Sequence, residues 1–388
     1  MKKFLALTMA ALMVAAMFAG CAPGNTNLGG NKGDNNSTVI KVGSSGPLTG
    51  DNAEYGIAVK YGLELAFSEI NALGDLQFEV KVEDDEADAE KAVNAYNTLI
   101  DWGMQIMAGP TTSGSAAATA AKCVTDKVFM LSPSASDPAV IATGDNVFQI
   151  CFSDTNQGKA SAQYIKSKNL ATKVGVIYDS SNPYSDGIYT TFKAEAAKQG
   201  LTIAAEAAFT EDTKGDLTTQ VTKCQQAGCD LIFLPIYVAE AARVLSAADA
   251  ANYDTKFFGC DGLDGILNVK NFDKTLAEGV MLLTPFDATS TDAKTQAFVR
   301  NYTEKYKIAP NQFAADAYDV AYAIYDACKK AGITASTSKA AACEALVQQF
   351  KSMTFDGLTG KGMTWGADGA VSKAPMAVVI QNGAYVGA

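Results

Sequence analysis

The sequence contains no histidine. Histidine is the general base of Ser-His and Cys-His enzymes and a common zinc ligand, so its absence excludes these two mechanisms and disfavours a zinc site. Cysteines in Cys-x-x-Cys spacing are missing as well, although the chain has eight cysteines. We therefore expect no metal site, no cofactor and no enzymatic activity.

Three other patterns associated with catalysis or ion binding are incomplete. Residues 336–339 have Ser-x-x-Lys spacing, but they stand at the start of a predicted helix, where serine is a common N-cap. The glycine-rich run 43–50 lacks the Gly-Lys-Ser/Thr of a phosphate-binding loop. The acidic run 84–86 could bind a cation, but acidic residues at a helix start have the same pattern, and we favour that interpretation.

One long apolar run is present, and it lies at the N-terminus. Two lysines precede residues 4–18, and Cys21 follows directly after Ala19-Gly20. The run is too short for a stable transmembrane helix, and its basic start and small residues are typical of a secretory signal. A core helix is the alternative, but a polar tract follows at once. The cysteine after Ala-Gly resembles a bacterial lipoprotein signal, which implies that residues 1–20 are removed and that Cys21 carries lipid.

Residues 21–37 are rich in glycine, asparagine and other small polar residues. This composition cannot bury enough apolar surface to offset the entropy of ordering, so we expect a flexible tether with a reach of roughly 20–25 Å. No later segment of the sequence is apolar and long enough to span a membrane. The protein would then work outside the cytoplasmic membrane and contact that membrane only through its lipid.

Acidic residues outnumber basic ones. The chain has 31 lysines and arginines against 42 aspartates and glutamates, a net charge of −11. Removal of residues 1–20 takes away two lysines and no acid, which makes the net charge −13. An acidic exported protein is not expected to bind nucleic acid or anionic lipid head groups.

The cysteine count is odd if Cys21 is lipidated, because seven of the eight cysteines remain. At least one of them must then be unpaired. Cys224 and Cys229 could pair, and Cys328 and Cys343 could join two late helices. Buried free thiols are nevertheless our expectation for most of these residues.

Strands and helices alternate along the chain from residue 39 onward. Residues 55–71 place apolar side chains on one helical face, and residues 78–82 alternate with the period of a half-covered strand. This alternation predicts an α/β fold with parallel sheets, and about 350 residues are too many for one core, so we expect two lobes. The predicted strands are 39–42, 78–82, 104–108, 128–131, 173–178, 203–209, 231–235, 257–259 and 280–283. The main predicted helices are 55–71, 88–102, 291–306, 313–331 and 339–350.

Hydroxyl groups and a carboxylate follow several predicted strands. Ligands of open α/β sheets bind beyond the carboxyl ends of the strands, so these segments are candidate ligand-binding loops. They are residues 43–50, 109–115, 132–136, 182–184, 236–237 and 260–262.

An ordered set of segments resembles the leucine/isoleucine/valine-binding proteins, which are type I periplasmic binding proteins of ABC importers. These segments are 42–50, 82–85, 108–113, 132–133, 313–319 and 365–369. The resemblance covers residue 39 to the C-terminus. It implies two Rossmann-like lobes that close on a ligand like a Venus flytrap and are joined by three crossing strands. The first lobe would comprise residues 38–153 and 286–356, and the second lobe residues 154–285 and 357–388.

The resemblance implies that four residues bind the polar groups of an α-amino acid. Ser113 would hold the ligand carboxylate together with backbone N–H groups at a helix N-terminus, although the serine could also be a plain N-cap. Ala135 would offer a carbonyl and Ser136 a hydroxyl, and an ordinary turn is the alternative there. Asp261 would pair with the ligand ammonium group, and a solvated loop acid is its alternative.

Four aromatic residues would enclose the rest of the ligand. Tyr55 and Phe313 match positions that line the side-chain pocket, and Tyr184 and Tyr237 match tyrosines that cover the ligand after closure. Half-buried surface tyrosines are the alternative for the last two, and a helix core position is the alternative for Phe313.

The implied function is that of a substrate-binding lipoprotein of an ABC importer, which captures an amino acid and delivers it to permease subunits. Branched-chain or other apolar amino acids are the expected ligands. An amide, urea or an aromatic acid on the same fold is the alternative, as is a lipoprotein that senses its ligand for a signalling partner. We expect a monomer.

Overall fold

The computed structural model describes residues 38–388. The predicted signal peptide 1–20, the tether 21–37 and the lipidation site Cys21 lie outside the described residues. Within residues 38–388, no helix combines the length and the apolar character needed to cross a membrane.

Five parallel strands form the first sheet. They are β1 (Ile40–Gly46), β2 (Phe78–Asp84), β3 (Ile106–Met107), β4 (Phe129–Ser132) and β5 (Val147–Gln149). Their order in the sheet is β2-β1-β3-β4-β5. Successive residues of β1, β4 and β5 are buried with little alternation, as expected for a parallel sheet that helices cover on both faces.

Seven strands form the second sheet. They are β6 (Val174–Asp179), β7 (Ile203–Phe209), β8 (Leu231–Leu234), β9 (Lys256–Gly259), β10 (Met281–Thr284), β11 (Met376–Gln381) and β12 (Ala384–Gly387). Their order is β12-β11-β10-β9-β8-β6-β7. The pairs β10–β11 and β11–β12 are antiparallel, and the other pairs are parallel.

Helices connect the strands of both sheets. Within residues 38–388 they are α1 (Ala53–Leu73), α2 (Ala89–Trp102), α3 (Ser113–Asp126), α4 (Pro138–Ile141), α5 (Asp154–Ser167), α6 (Pro183–Gln199), α7 (Thr218–Gln226), α8 (Val238–Ala250), α9 (Ala293–Tyr306), α10 (Gln312–Ala331) and α11 (Lys339–Phe350). Several of these helices begin with an N-cap residue whose side chain accepts a hydrogen bond from the backbone. Asp88 accepts from the backbone N–H of Lys91 in α2, and Asn311 accepts from that of Ala314 in α10.

Helices α10 and α11 belong with the first sheet, although they follow the second sheet in the chain. Helix α10 packs against α1, and α11 packs against β4. Gly62 permits the close approach of α1 and α10, because a Cβ atom there would lie 2.2 Å from the carbonyl oxygen of Ala314. We call the first sheet with its helices the first lobe, and the second sheet with its helices the second lobe.

The α/β architecture with two largely parallel sheets is confirmed, with one correction. Parallel sheets were expected throughout, but β11 and β12 run antiparallel at one edge of the second sheet. The turn of this hairpin contains Asn382 and Gly383, both at positive φ. Asn-Gly between two apolar runs is the sequence signal for such a turn. Strand β5 is also absent from the predicted strands, because three residues are too few to show a period.

The segment between α11 and β11 contacts the first lobe. Asp319 of α10 accepts from the backbone N–H of Thr359 at 2.9 Å. Lys373 is buried and donates from Nζ to Asp316 of the same helix at 2.6 Å. The resemblance implies that residues 357–388 belong to the second lobe, yet Thr359 and Lys373 of this segment contact α10 of the first lobe. The chain joins the second sheet only at β11, and the other lobe limits stay predictions.

All seven cysteines of residues 38–388 are free and buried. The expectation of buried free thiols is therefore confirmed, and neither candidate pair, Cys224–Cys229 or Cys328–Cys343, is bonded. Burial raises the pKa of Cys224 to about 12 and that of Cys328 to about 12. Because the thiolate is the reactive form, these side chains are poor nucleophiles at neutral pH.

Candidate ligand-binding site

A small cavity lies where strands of both sheets end. Five of the eight predicted site residues line it, Tyr55 and Phe313 from the first lobe and Tyr184, Tyr237 and Asp261 from the second. The sequence did not single out the other four lining residues, although they lie in or next to loops at predicted strand ends. These are Thr111, Thr112, Ser134 and Gly262.

The aromatic residues of the cavity form a continuous row. The ring centroids of Phe313 and Tyr55 are 4.7 Å apart, and those of Tyr55 and Tyr237 are 5.3 Å apart. Tyr237 stacks on Tyr184 with a centroid distance of 4.9 Å. These spacings lie in the range of direct aromatic contact. The row therefore crosses from one lobe to the other without a break.

The Tyr55 hydroxyl joins the two lobes. It donates to the carbonyl oxygen of Gly262 at 2.6 Å and accepts from the backbone N–H of Val238 at 2.7 Å. Tyr55 lies in α1 of the first lobe and is 2% exposed, whereas both partners lie in the second lobe. These two hydrogen bonds therefore require closed lobes.

Asp261 follows β9 and is buried among polar partners. Its carboxylate accepts from the Tyr184 hydroxyl at 2.7 Å, and its backbone N–H donates to the side-chain oxygen of Gln157 at 3.0 Å. From the first lobe, the Gln312 side-chain amide donates to the Asp261 carbonyl at 2.8 Å. With 5% of its surface exposed, Asp261 is not a solvated loop acid. Burial raises the pKa of its carboxyl to about 7, although the hydrogen bond from Tyr184 opposes this shift.

The N-terminus of α3 presents backbone donors beside the cavity. The helix begins at Ser113, and its N-cap is Thr112, whose side chain makes no capping hydrogen bond. The N-cap interpretation of Ser113 is therefore wrong. The Ser113 hydroxyl oxygen accepts from the backbone N–H groups of Ser136 and Asp137 at 3.2 and 3.3 Å, which leaves the hydroxyl proton to donate elsewhere. Backbone N–H groups at a helix N-terminus attract anions.

Ser113, Ala135 and Ser136 lie behind the lining residues. All three are buried. Ser113 directly follows Thr112 of the cavity wall, and Ala135 and Ser136 follow Ser134 of the same wall. The Ser136 hydroxyl oxygen has no hydrogen-bond partner among the described residues. An unpaired buried hydroxyl is costly, so this group is available to a ligand or a water molecule.

Asp154 is a buried acid that the sequence did not single out. It is the first residue of α5 and is 1% exposed, and neither carboxylate oxygen has a hydrogen-bond partner among the described residues. Burial raises the pKa of its carboxyl well above the ordinary value, and the charge of Asp261 adds to this shift. In the sequence, an acid at a helix start is ordinary, so no pattern marks Asp154 as special.

Two groups of opposite character thus meet at the cavity. The α3 N-terminus and the nearby Ser113 hydroxyl offer donors to an anion, and Asp261 offers a carboxylate to a cation. Asp154 does not line the cavity, but it is close enough to Asp261 for their charges to interact. Across residues 38–388, histidine, cysteine, aspartate and glutamate side chains form no group of three or more that could hold a metal ion. The arrangement matches a small organic molecule that carries both charges.

Comparisons with known proteins agree with this fold. A family model described as "Periplasmic binding protein" matches residues 39–384. The Leu/Ile/Val-binding protein homolog 3 of Brucella melitensis biotype 1 is 29% identical over 299 residues, which cover 76% of this chain and 80% of that protein.

Solved structures show the same architecture. The branched-chain amino acid transporter substrate binding protein LivJ from Streptococcus pneumoniae, in complex with isoleucine, is 28% identical. Its TM-score is 0.81, and the match covers 89% of this chain and 97% of that chain. An ABC transporter solute binding protein from R. palustris, in complex with benzoate, has a TM-score of 0.80 over 90% of this chain and 95% of that chain. Its identity is 20%, so this match shows the fold alone.

The family match spans nearly all of the described residues, and it confirms the resemblance to the Leu/Ile/Val-binding proteins. It also confirms that the chain is not an enzyme, because proteins of this type bind solutes outside the cytoplasmic membrane without transforming them. The chain belongs to the periplasmic binding protein family and is a substrate-binding protein of the LivJ type.

Proposed function

We propose that this protein captures an α-amino acid between its two lobes and delivers it to the permease subunits of an ABC importer. In this proposal it is a monomeric lipoprotein. The signal features of residues 1–20 support a lipid on Cys21 as the membrane anchor. The polar segment 21–37 would act as the tether that lets the folded part reach a permease.

The observation that carries the proposal is the buried Asp261 carboxyl group in the cavity wall, together with the buried Asp154 carboxyl group, which is close enough to interact with its charge. Buried carboxylates without a cationic partner are costly, and an ammonium group would relieve that cost. The ligand carboxylate would then bind the N–H groups of α3 and the Ser113 hydroxyl. Hydrogen bonds to charged groups contribute about 1.5–3 kcal/mol each, and a micromolar affinity needs roughly −8 kcal/mol, so a few such bonds suffice.

Ligand binding would favour closed lobes. Ser113 lies in the first lobe, whereas Asp154 and Asp261 lie in the second, so an amino acid contacts all three only after closure. A ligand shifts a conformational equilibrium by its differential affinity for the two states. The permease would then recognise the closed form.

An aromatic acid fits the same cavity less well. The benzoate-bound relative shares the fold, but benzoate carries no ammonium group and would leave Asp154 and Asp261 unpaired. The more similar relatives also favour an amino acid, since one is named a Leu/Ile/Val-binding protein homolog and the other is in complex with isoleucine.

The proposal is tested by calorimetric titration of the full-length protein in mild detergent, after unfolding and refolding to remove any carried ligand. We expect saturable binding of at least one of the twenty amino acids. Asp261→Ala should weaken this binding by at least 2 kcal/mol, because the ligand ammonium loses a buried partner. Asp101→Ala, which changes an exposed acid on α2, is the matched control and should bind as the wild type does.

Two results would count against the proposal. One is an amino acid affinity that Asp261→Ala leaves unchanged. The other is binding of benzoate or an amide without binding of any amino acid, which would retain the family assignment and reject the ligand.

A further inference from the structure

Two buried cysteines meet at the end of helix α7. Cys224 lies in the last turn of α7, and Cys229 stands two residues before β8. The backbone N–H of Cys229 donates to the Cys224 carbonyl oxygen at 3.1 Å, and that of Gly228 donates to the Gln225 carbonyl oxygen at 2.9 Å. Gly228 has a φ of 67°. These two hydrogen bonds and the left-handed glycine make a Schellman motif.

This motif brings the two thiols together. In a Schellman motif, the side chains of the two outer residues, here Cys224 and Cys229, commonly contact each other. Strand β6 leaves room for them, because Gly175 has no side chain. A Cβ atom on Gly175 would lie 2.8 Å from the Cys224 sulfur and 3.1 Å from the Cys229 sulfur. Both sulfurs therefore share the space that a side chain of residue 175 would fill.

Both thiols are free in this structure, and both are buried. Burial raises the pKa of Cys224 to about 12, and interaction with the neighbouring Cys229 adds to this shift. Burial also raises the pKa of Cys229. Cys229 is 4% exposed and Cys224 0%, so an oxidant that enters at the turn after α7 reaches Cys229 first.

The surroundings of the pair meet the requirements of a disulfide. Such a bond needs two cysteines whose main chains lie close together and whose side chains face each other. The hydrogen bond between Cys229 and Cys224 provides the first condition, and the shared space over Gly175 provides the second. Proteins of this family work outside the cytoplasmic membrane, where disulfides form and persist.

We propose that Cys224 and Cys229 are a redox-active dithiol, which a small-molecule disulfide oxidises to an intramolecular disulfide between α7 and the segment before β8. The Cys229 thiolate attacks one sulfur of the oxidant, and one thiol of the oxidant leaves. Cys224 then loses its proton and attacks the Cys229 sulfur, which releases the second thiol. The two cysteines thus lose two electrons and two protons, and the oxidant becomes two thiols.

This site is separate from the ligand cavity. Cys229 precedes β8, whereas Tyr237 of the cavity wall follows it, so the two residues stand at opposite ends of this strand. The inference therefore does not depend on the proposed function or on the identity of the ligand.

The test incubates the folded full-length protein in mild detergent with oxidised glutathione and then blocks the remaining thiols with N-ethylmaleimide in denaturant. Trypsin cleaves after Lys223 and Arg243, so residues 224–243 form one peptide that contains both cysteines. We expect this peptide to be two hydrogen atoms lighter than the reduced peptide and to carry no maleimide. Reduction before the blocking step should restore two maleimide groups.

Cys328 of α10 is the matched control, because its thiol is equally buried and its pKa is likewise raised to about 12. The tryptic peptide of Cys328 contains no other cysteine and should still take up maleimide. Cys229→Ser should leave one maleimide group on the Cys224 peptide, because the partner thiol is missing.

Three results would overturn the inference. They are two maleimide groups on the wild-type peptide after incubation, glutathione retained on that peptide, or an equal loss of maleimide at Cys328. If Cys229→Ser does not fold, the wild-type peptide and the Cys328 peptide together decide the question.

Discussion

The carboxyl group of Asp261 is under two opposing influences. Burial raises its pKa to about 7, which favours the neutral acid, whereas a ligand ammonium requires the carboxylate. The influences that lower this pKa are hydrogen bonds, chiefly the one from the Tyr184 hydroxyl. Asp316 adds negative charge, and the Tyr184 hydroxyl is neutral. The Asp261 carboxyl group is therefore poised to lose a proton when a cationic group binds beside it.

A pH dependence of stability follows from this shift. The Asp261 carboxyl has a pKa of 3.8 in an unperturbed state and about 7 in the folded protein, so the folded state holds more protons between these values. Stability without ligand should then decrease as pH rises from about 4 to about 7, by up to about 4 kcal/mol at 1.36 kcal/mol per pKa unit. Urea unfolding at pH 5 and pH 8 measures the effect, which Asp261→Asn should reduce and Asp101→Asn should retain.

Ligand affinity should depend on pH in the opposite direction from stability. An ammonium group favours the charged carboxylate, so binding near pH 6 should release protons, and affinity should increase between about pH 5 and pH 8. Calorimetry in buffers of different ionisation enthalpy detects this release. Identical heats in all buffers would show that Asp261 does not change its charge on binding.

Single residues of the site were predictable to different degrees. Ser113 and Asp261 each lie just after a strand, in a segment whose composition differs from that of a helix or strand interior. Their placement at strand ends was therefore visible in the sequence. Asp154 was not, because its importance comes from its missing partners, which depend on how α5 meets the first lobe. The close packing of Tyr55 against Tyr237 depends likewise on lobe closure, which no local pattern encodes.

At the scale of elements, the segment between α11 and β11 is held to α10 by a buried ion pair. The Lys373 and Asp316 side chains are 0% and 3% exposed, with Nζ 2.6 Å from the carboxylate. Burial still raises the pKa of Asp316 to about 6, against the effect of Lys373. Such pairs contribute little net stability compared with apolar residues, but removal of one partner leaves an uncompensated charge.

Lys373→Met should destabilise the protein by about 3–5 kcal/mol at pH 7.5, because Asp316 loses its counter-charge in the interior. The double variant Lys373→Met with Asp316→Leu should recover most of that loss. Lys351→Met is the control, since Lys351 lies 3.9 Å from an exposed carboxylate. This substitution should change the free energy of unfolding by less than about 1 kcal/mol. Urea unfolding measures all three, and a loss below 1 kcal/mol for Lys373→Met would show that the segment is held by other contacts.

Most elements were predictable because their apolar periodicity is strong. The limits of β7 (Ile203–Phe209) and α11 (Lys339–Phe350) agree in full with those expected from the sequence. The hairpin of β11 and β12 was missed although its Asn-Gly turn is a recognisable signal. The position of residues 357–373 depends on contacts between residues that are far apart in the sequence, such as those of Asp319. The apolar periodicity of the sequence does not reveal such contacts.

At the scale of the whole molecule, polar contacts across the cleft support closure. Arg243 of α8 lies 2.7 Å from Asp51, just before α1, and Asn268 donates to Glu54 of α1 at 2.8 Å. These contacts border a groove that both lobes line. Together with the Tyr55 hydroxyl, they connect one face of the second lobe to the first turn of α1.

Arg243→Ala should weaken ligand binding modestly, because it removes an ion pair that forms only in the closed state. Partly exposed pairs contribute about 0.2–1 kcal/mol, so the dissociation constant should rise by less than about tenfold. The difference from wild type should shrink in 1 M salt, where the Debye length is about 3 Å. Arg300→Ala, on exposed α9 surface, is the control. Equal effects of the two variants would exclude a role for the Arg243 pair in closure.

The burial of all seven described thiols has a practical consequence for measuring closure. Dyes that react with thiolates would find no ready target among them in the folded protein. A cysteine introduced by Ser246→Cys, on the exposed rim of the groove between the lobes, would stand apart from the native thiols by its accessibility. A fluorescent label could then report ligand arrival optically, with every native cysteine left in place.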